Sequence, residues 1–201
     1  MKITTGRIVL LAVVLFLTAG WIWRYATLNA YYDSLVIADM RYERYELGDM
    51  VSFEDPDPSG GTVEGYSIRV DRFEVVEPGD LDPAIYARSD MATSQRGSGK
   101  IALVYVTLFN AGGDAPGVML NSLPLHGIDA LANTDWNLLR ALNPILEGGF
   151  GIALSPGTEC SVVLPYDLYR DVFYGDWNRL DRYAFYLELT AFPTEKEIRV
   201  Q

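Results

Sequence analysis

The sequence predicts a mainly β protein that follows an apolar N-terminal helix. From Leu47 onward, short runs of alternating or continuous apolar residues recur, and clusters of Gly, Pro and Asp separate them. This is the pattern of an all-β sandwich or barrel. Only one or two short segments of this region have helical patterning, whereas the first two dozen residues form a long apolar stretch.

The apolar stretch Ile8–Trp23 carries no charge and lies between Arg7 and Arg24. As a helix, its 16 residues would span about 24 Å, slightly less than the roughly 30 Å core of a bilayer. The tryptophans near its end are typical of a membrane interface. The pattern therefore favours a cytoplasmic stub and an uncleaved transmembrane signal-anchor over residues 1–26.

Two alternatives to the anchor are a cleaved signal peptide and a buried core helix. A signal peptide would need a shorter apolar core and a cleavage site of small residues, and Leu28-Asn29-Ala30 is a poor site. A lipoprotein would need a cysteine directly after the apolar run, and none is there. Lys2 and Arg7 favour a cytoplasmic N-terminus and thus place the following domain outside.

Residues 27–46 are rich in tyrosine and charge, which predicts a juxtamembrane stalk, either helical or extended. The β domain is expected over residues 47–201. Its first strand is Leu47–Glu54 and its second Val63–Glu77, where the apolar alternation slips by one residue near Asp71-Arg72. Such a slip indicates a β-bulge.

Lys100–Asn110 is apolar on both faces, which predicts a central strand covered on each side. A short helix is expected over Asn133–Leu142, with Thr134 as its cap. The remaining predicted strands are Val118–Leu125, Thr158–Leu164, Tyr183–Ala191 and a terminal strand through Ile198 and Val200.

Charge and composition exclude several classes of function. The net charge is −11, and 13 basic residues stand against 27 acidic ones after Arg24. Such a surface repels phosphates, so no nucleic-acid partner is expected. The chain has one cysteine and one histidine, which excludes an intrachain disulfide and most metal sites that use several imidazoles. P-loop, GxGxxG, GxSxG and HExxH motifs are absent from the sequence.

Individual residues with reactive side chains have ordinary explanations. Cys160 lies on the inward face of a predicted strand, which favours a buried thiol over a nucleophile. His126 follows a probable strand end and is interpreted as a surface or edge residue rather than a functional one. We therefore predict no catalytic residue, no metal ligand and no cofactor, and we do not expect an enzyme.

Two acidic loops are weak candidates for calcium. One contains Glu54, Asp55 and Asp57, and the other contains Asp80 and Asp82. Calcium takes six to eight oxygen ligands, often from such loops. Neither loop matches the full calcium-loop motif, and ordinary turns explain both.

An aromatic cluster between two predicted strands is the candidate binding surface. Its members are Tyr166, Tyr169, Phe173, Tyr174 and Trp177. An aromatic loop at the end of a sandwich is a candidate surface for binding a peptide or a glycan. The alternative is a small core that covers an open end of the sandwich.

Turn and strand signatures occur at Ile101–Gly112, Leu154–Thr158, Leu164–Tyr166 and Tyr45–Asp49. They resemble those of bacterial extracytoplasmic immunoglobulin-like domains of unknown function, and the resemblance spans about Tyr45 to Gln201. It implies an immunoglobulin-like antiparallel β-sandwich at the cell surface, in lipoproteins or membrane-anchored proteins. The family carries no catalytic motif to transfer, and here the apolar anchor would replace a lipid.

Two functions therefore remain open. The first is a non-enzymatic ectodomain, held in the cell membrane by a single span, that binds a protein or an envelope component. The second is a structural or accessory subunit of a membrane complex that acts through its N-terminal helix.

Overall fold

The computed structural model separates into two compact units, Met1–Met40 and Arg41–Gln201. The structure describes residues 5–35, 41–54, 63–89, 99–112, 117–127, 130–146, 149–173, 177–191 and 193–201. The first unit contains the helix α1, and the second contains all the described strands and is called the β unit below.

Helix α1 extends over Thr5–Leu35, which is longer than the predicted anchor. The predicted stalk therefore begins as a continuation of this helix, since no Pro or Gly interrupts residues 24–35. The side chains of residues 12 to 27 are exposed. Within the described residues, we find no helix that combines the length and apolar character needed to cross a membrane.

The β unit confirms a mainly β fold with few helices. Its strands are β1 Arg41–Glu46, β2 Met50–Ser52, β3 Tyr66–Val76, β4 Lys100–Asn110, β5 Val118–Met119, β6 Leu125–His126, β7 Leu131–Ala132, β8 Gly151–Ile152, β9 Thr158–Leu168, β10 Tyr186–Thr190 and β11 Thr194–Arg199. Its helices are α2 Pro83–Ser89 and α3 Trp136–Leu142.

Two sheets enclose the main core. The five-stranded sheet has the order β1-β11-β10-β6-β7, the four-stranded sheet has the order β2-β3-β4-β9, and β5 pairs with β8. Buried residues of both sheets belong to one apolar cluster, for example Val104 and Leu164 from one and Leu187 and Ile198 from the other. The two sheets therefore pack face to face as a sandwich.

Strand β4 is the central strand that the sequence predicted. It pairs antiparallel with β3 and β9. One of its faces lies in the main core, while Ile101 and Leu103 on the other face pack against Tyr86 of α2 and Leu138 of α3. Cover on both sides explains why the strand is apolar throughout.

The predicted bulge is also present. The β3–β4 register shifts between Val70 and Arg72, which leaves Asp71 as the extra residue. Its carboxylate accepts hydrogen bonds from Arg69 Nε and from Thr107 Oγ1, both at 2.6 Å. These polar contacts fix the point at which the apolar alternation changes phase.

The predicted boundary at residue 46 differs from the structure. Arg41–Glu46 is strand β1 of the β unit and pairs with β11 in parallel, so the sandwich is not entirely antiparallel. Its side chains alternate, with Glu43 and Tyr45 half-buried and their neighbours exposed. The predicted first strand Leu47–Glu54 shrinks to β2 because Gly48, with φ of 97°, turns the chain from one sheet to the other.

Two further local predictions were wrong. A 3₁₀ turn at Leu120–Ser122 interrupts the expected strand Val118–Leu125. Helix α3 is capped by Asp135, whose Oδ1 accepts from Leu138 N at 2.9 Å, and not by Thr134. Thr134 is buried and forms a β-bridge with Tyr166 instead.

The buried Asn143 joins the end of α3 to β9, and its replacement tests this packing. Its amide donates to Val163 O and accepts from Val163 N, both at 2.7 Å. Asn143→Ala leaves these groups without their partner, so we expect a loss of about 2–4 kcal/mol in the free energy of unfolding. Urea denaturation measures it. The exposed Asn133→Ala is the control, and an equal loss in both variants would contradict the assignment.

Candidate functional site

The structure divides the predicted aromatic cluster between core and surface. Tyr166 and Phe173 are buried, Trp177 is half-buried, and Tyr169 is 54% exposed. The Tyr166 hydroxyl donates to Leu123 O at 2.7 Å, and burial raises its pKa. Tyr174 lies outside the described residues. The core interpretation thus fits Tyr166 and Phe173, whereas Tyr169 and part of Trp177 are at the surface.

Trp177 lines a shallow cleft of about 250 Å³. The other lining residues are Val75, Lys100, Asn178, Leu180, Asp181 and Gln201. The Lys100 ammonium lies 5.8 Å from the centre of the indole ring, and the Phe173 ring packs 6.0 Å from it on the core side. The cleft therefore combines an aromatic surface with a cation, amides and a carboxylate.

The walls of the cleft are held by contacts to neighbouring strands and turns. Lys100 begins β4 and forms an ion pair with Glu77 at 3.2 Å. The Gln201 amide Nε2 donates to Leu180 O at 2.5 Å and to Tyr183 O at 3.0 Å. These contacts fix the groups around Trp177 before any ligand binds.

Cys160 is half-buried on β9, and its burial raises the pKa of the thiol. A raised pKa lowers the fraction of thiolate at neutral pH, and the thiolate is the nucleophilic form. This environment agrees with the predicted unreactive thiol, although the side chain is less buried than expected.

The outward face of the five-stranded sheet carries a second site, which the sequence did not reveal. Its centre is the side chain of Glu197 on β11, which is 0% exposed although it points away from the core. Arg44 Nε of β1 donates to Glu197 Oε1 at 2.5 Å. His126 Nε2 of β6 lies 3.2 Å from Glu197 Oε2. We call Arg44, His126, Glu195 and Glu197 the Glu197 cluster.

Aromatic rings cover the cluster. The Arg44 guanidinium carbon lies 4.6 Å from the centre of the Tyr186 ring and 5.2 Å from that of Tyr42. His126 stacks on Tyr186 with ring centres 5.6 Å apart. The hydrogen bond to Glu197 raises the pKa of Arg44. The rings therefore exclude water from a carboxylate that would otherwise be solvated.

A further carboxylate, Glu188 of β10, pairs directly with Glu197 across the antiparallel strands. Its burial raises the pKa of Glu188, and the nearby Glu195 and Glu197 raise it further, while His126 lowers it. Around Glu197 this face thus carries the carboxylates of Glu188, Glu195 and Glu197 beside the Arg44 guanidinium and the His126 imidazole, while Glu46 and Arg199 lie further along it. The surplus of negative charge favours a cation.

The sequence gives little indication of this site. The terminal strand is predicted only through Ile198 and Val200, and Arg44 falls in the predicted stalk, so no pattern groups Arg44 with Glu197. The sequence contained one usable signal, since Glu195, Glu197 and Arg199 alternate along the last strand. His126 and Glu197 are far apart in the sequence, so no local pattern predicts that His126 lies beside Glu197.

Among the described residues of the two acidic loops, two of the candidate calcium ligands already accept hydrogen bonds from the backbone and the third is exposed. Asp82 Oδ1 accepts from Ala84 N at 2.8 Å and thus serves the start of α2. Asp80 is exposed in a 3₁₀ turn, and Glu54 Oε1 accepts from Gly65 N at 2.5 Å. Asp55 and Asp57 lie outside the described residues.

Comparison with protein families gives one match, to a domain of unknown function named DUF5028, over residues 42–196. The matched region begins in β1 and ends in β11. No curated protein sequence matches the chain significantly.

Three solved structures share a distant similarity. An uncharacterized β-sandwich protein from Clostridium difficile 630 has a TM-score of 0.43 and 10% identity, over 80% of this chain and 95% of its own. A functionally unknown protein from Listeria monocytogenes EGD-e has a TM-score of 0.42 and 12% identity, over 70% and 72%. A conserved hypothetical protein from Bacillus anthracis has a TM-score of 0.39 and 14% identity, over 71% and 87%.

The raised pKa of Glu188 predicts a pH-dependent effect of Glu188→Gln. The folded-state pKa lies above the ordinary value of 4.5, so ionisation of Glu188 weakens the fold as pH rises through the raised pKa. The variant lacks this penalty, and we expect its Tm to exceed the parent value at pH 7. The difference in Tm should vanish below pH 4.5, where Glu188 is protonated in both the folded and the unfolded parent chain.

Thermal unfolding of the parent and variant chains at several pH values measures this difference. Glu159→Gln, an exposed carboxylate on β9, is the control and should leave Tm unchanged. A variant that is less stable than the parent at pH 7 would show that the Glu188 carboxylate stabilises the face.

Proposed function

Because the chain belongs to the DUF5028 family, whose function is unknown, we propose a role from its own residues. It is a non-enzymatic binding module for a cell-envelope component or an envelope protein. It is held in the cell membrane by its N-terminal segment, with the β unit on the extracytoplasmic side. The cleft beside Trp177 is the observation that carries this proposal.

The membrane-anchored placement is supported by the N-terminal sequence. Ile8–Trp23 is an uncharged apolar run within the unbroken helix α1, and the large apolar side chains described there, such as Phe16 and Trp23, are 80% and 76% exposed. Exposed apolar side chains in such number favour a lipid or protein environment. Lys2 and Arg7 before the run favour a cytoplasmic N-terminus.

The order of the strands supports an immunoglobulin-like β unit. With β3, β4 and β9 read as strands A, B and E, one sheet has the order A-B-E, and β2 lies beside A. The other sheet then has the order G-F-C-C′, with β11, β10, β6 and β7 in these positions, and β1 lies beside G. These neighbours are those of variable-type immunoglobulin sheets. Domains of this class bind ligands through the loops at the ends of the sandwich.

The chemistry of the cleft favours a glycan as the ligand. Trp177 offers an apolar aromatic surface, while Asn178, Asp181 and Gln201 supply groups that hydrogen-bond hydroxyls and amides. The volume of about 250 Å³ suits a single sugar ring rather than a folded partner. We therefore assign the binding of an envelope glycan to this cleft.

Replacement of Trp177 tests the glycan proposal. The full chain, purified in detergent and labelled with ¹⁵N-tryptophan, has four indole signals. Titration with soluble N-acetylglucosamine oligomers should shift the Trp177 signal and leave Trp136 unmoved. Trp177→Ala should weaken binding at least about fivefold, because an aromatic contact contributes roughly 1 kcal/mol.

Trp136→Ala is the matched control, since Trp136 is 54% exposed and packs on Phe150 outside the cleft. Equal affinity of the two variants, or no shift of the Trp177 signal at millimolar oligomer, would contradict glycan binding at this position.

The exposed apolar residues of α1 also support a second function, a structural or accessory subunit of a membrane complex that acts through this helix. Exchange of residues 1–30 for an unrelated anchor separates the two functions. A binding module keeps its ligand after the exchange, whereas an accessory subunit loses its complex.

A further inference from the structure

We propose that His126, Glu195 and Glu197 bind one divalent transition-metal ion, for which Zn²⁺ has the best-matched chemistry. One imidazole nitrogen and two carboxylate oxygens of these residues all lie within 4.8 Å of one another. The inference is independent of the Trp177 cleft, since these side chains lie on the outward face of the five-stranded sheet.

The spacing of two of the three ligand atoms fits a tetrahedral ion, and the third, a Glu195 oxygen, lies within 4.8 Å of both. Zinc lies about 2.0–2.2 Å from histidine nitrogen and carboxylate oxygen. Two such ligands on a tetrahedral ion are therefore roughly 3.4 Å apart. His126 Nε2 and Glu197 Oε2 are separated by 3.2 Å, so these two atoms need almost no movement to share an ion.

Glu197 Oε2 and His126 Nε2 face each other at 3.2 Å, a distance that forms an ion pair only when the imidazole is protonated. Both atoms are buried, and within the described part of the chain neither makes a hydrogen bond of acceptable geometry. The whole Glu197 side chain is 0% exposed. An unpaired buried carboxylate oxygen costs free energy, and a cation between it and the imidazole would remove that cost.

Neighbouring groups hold the ligands in the required orientation. Arg44 Nε donates to Glu197 Oε1, so the guanidinium occupies one carboxylate oxygen and leaves Oε2 directed at His126. Tyr186 stacks on the imidazole and limits its rotation. Hydrogen-bonded carboxylates and fixed rings of this kind commonly surround metal ligands.

The charge balance permits a divalent ion despite the adjacent guanidinium. Glu188, Glu195 and Glu197 outnumber the nearest guanidinium, that of Arg44, while Arg199 on the same face directs its Nε to Gln201 O. A divalent cation would reduce this excess of carboxylates. The sheet supplies the geometry, because Glu197 pairs with Glu188 and His126 pairs with Tyr186 on the intervening strand β10.

The donor set selects the metal. An imidazole nitrogen suits Zn²⁺ and neighbouring transition metals, whereas Ca²⁺ and Mg²⁺ prefer oxygen alone. Three protein ligands leave a fourth position on a tetrahedral zinc ion for water or a ligand. His126 is 23% exposed, which leaves a path for the ion from solvent.

The full chain, purified without a polyhistidine tag and labelled with ¹⁵N-histidine, tests the proposal directly. It gives one set of imidazole signals, since the chain has one histidine. Titration with Zn²⁺ alone at pH 7 should shift the Nε2 resonance and saturate at one ion per chain. Calcium at the same concentration should leave the resonance unchanged.

Variants define the ligand set in the same titration or by calorimetry. We expect at least hundredfold weaker zinc binding in His126→Ala and at least tenfold weaker binding in Glu195→Gln. Cys160→Ser removes the only thiol and should retain parent affinity, as should the exposed Glu159→Gln.

Three results would overturn the zinc site. They are an Nε2 resonance that responds to pH but not to zinc, parent affinity in Glu195→Gln, and loss of binding in Cys160→Ser. The first result is obtained with the parent chain, so it can overturn the proposal even if a variant fails to fold.

Discussion

Two adjacent charged residues of the last strand are buried on opposite faces of its sheet, and this constraint determines how the β unit closes. Lys196 is 5% exposed and points inward, where its ammonium donates to the carbonyl oxygens of Ser52 and Glu54 across the sandwich. Glu197 points outward to Arg44 and His126. A slip of β11 by one residue would exchange these faces and leave both charges without partners. We infer that the pair fixes the register of the strand.

That register links the parts of the chain that the sequence places far apart. Arg44 on β1 contacts Glu197 on the paired strand β11. Lys196 on β11 hydrogen-bonds to Ser52 of β2 in the opposite sheet. His126 on β6 contacts Glu197 across the intervening strand β10. The proposed zinc site follows from the same arrangement, since the ion would occupy the one side of Glu197 that Arg44 leaves open. The Trp177 cleft has a different origin, because it forms where the turns after β9 meet the start of β4 and the C-terminal Gln201.

The features that could be predicted from the sequence are those governed by local patterns. The continuous apolar run of β4 and the change of phase at Asp71 each depend on neighbours within one or two strands, and both predictions were confirmed. The cap of α3 was misplaced by one residue, because Thr134 and Asp135 are both good caps and only the β-bridge to Tyr166 decides between them. Arg44, His126 and Glu197 could not be grouped, since a parallel pairing of the first and last strands leaves no local signal.

A double-mutant cycle between Arg44→Met and Glu197→Gln tests most directly whether the ion pair between the exposed Arg44 and the buried Glu197 holds the terminal strands together. The free energies of unfolding of the parent, the single variants and the double variant are measured in urea at pH 7. If the two side chains depend on each other as described, the double variant will be more stable than the sum of the single losses implies. We expect a coupling energy of about 1–3 kcal/mol. Additive losses, within about 0.5 kcal/mol, would contradict the central place of this interaction.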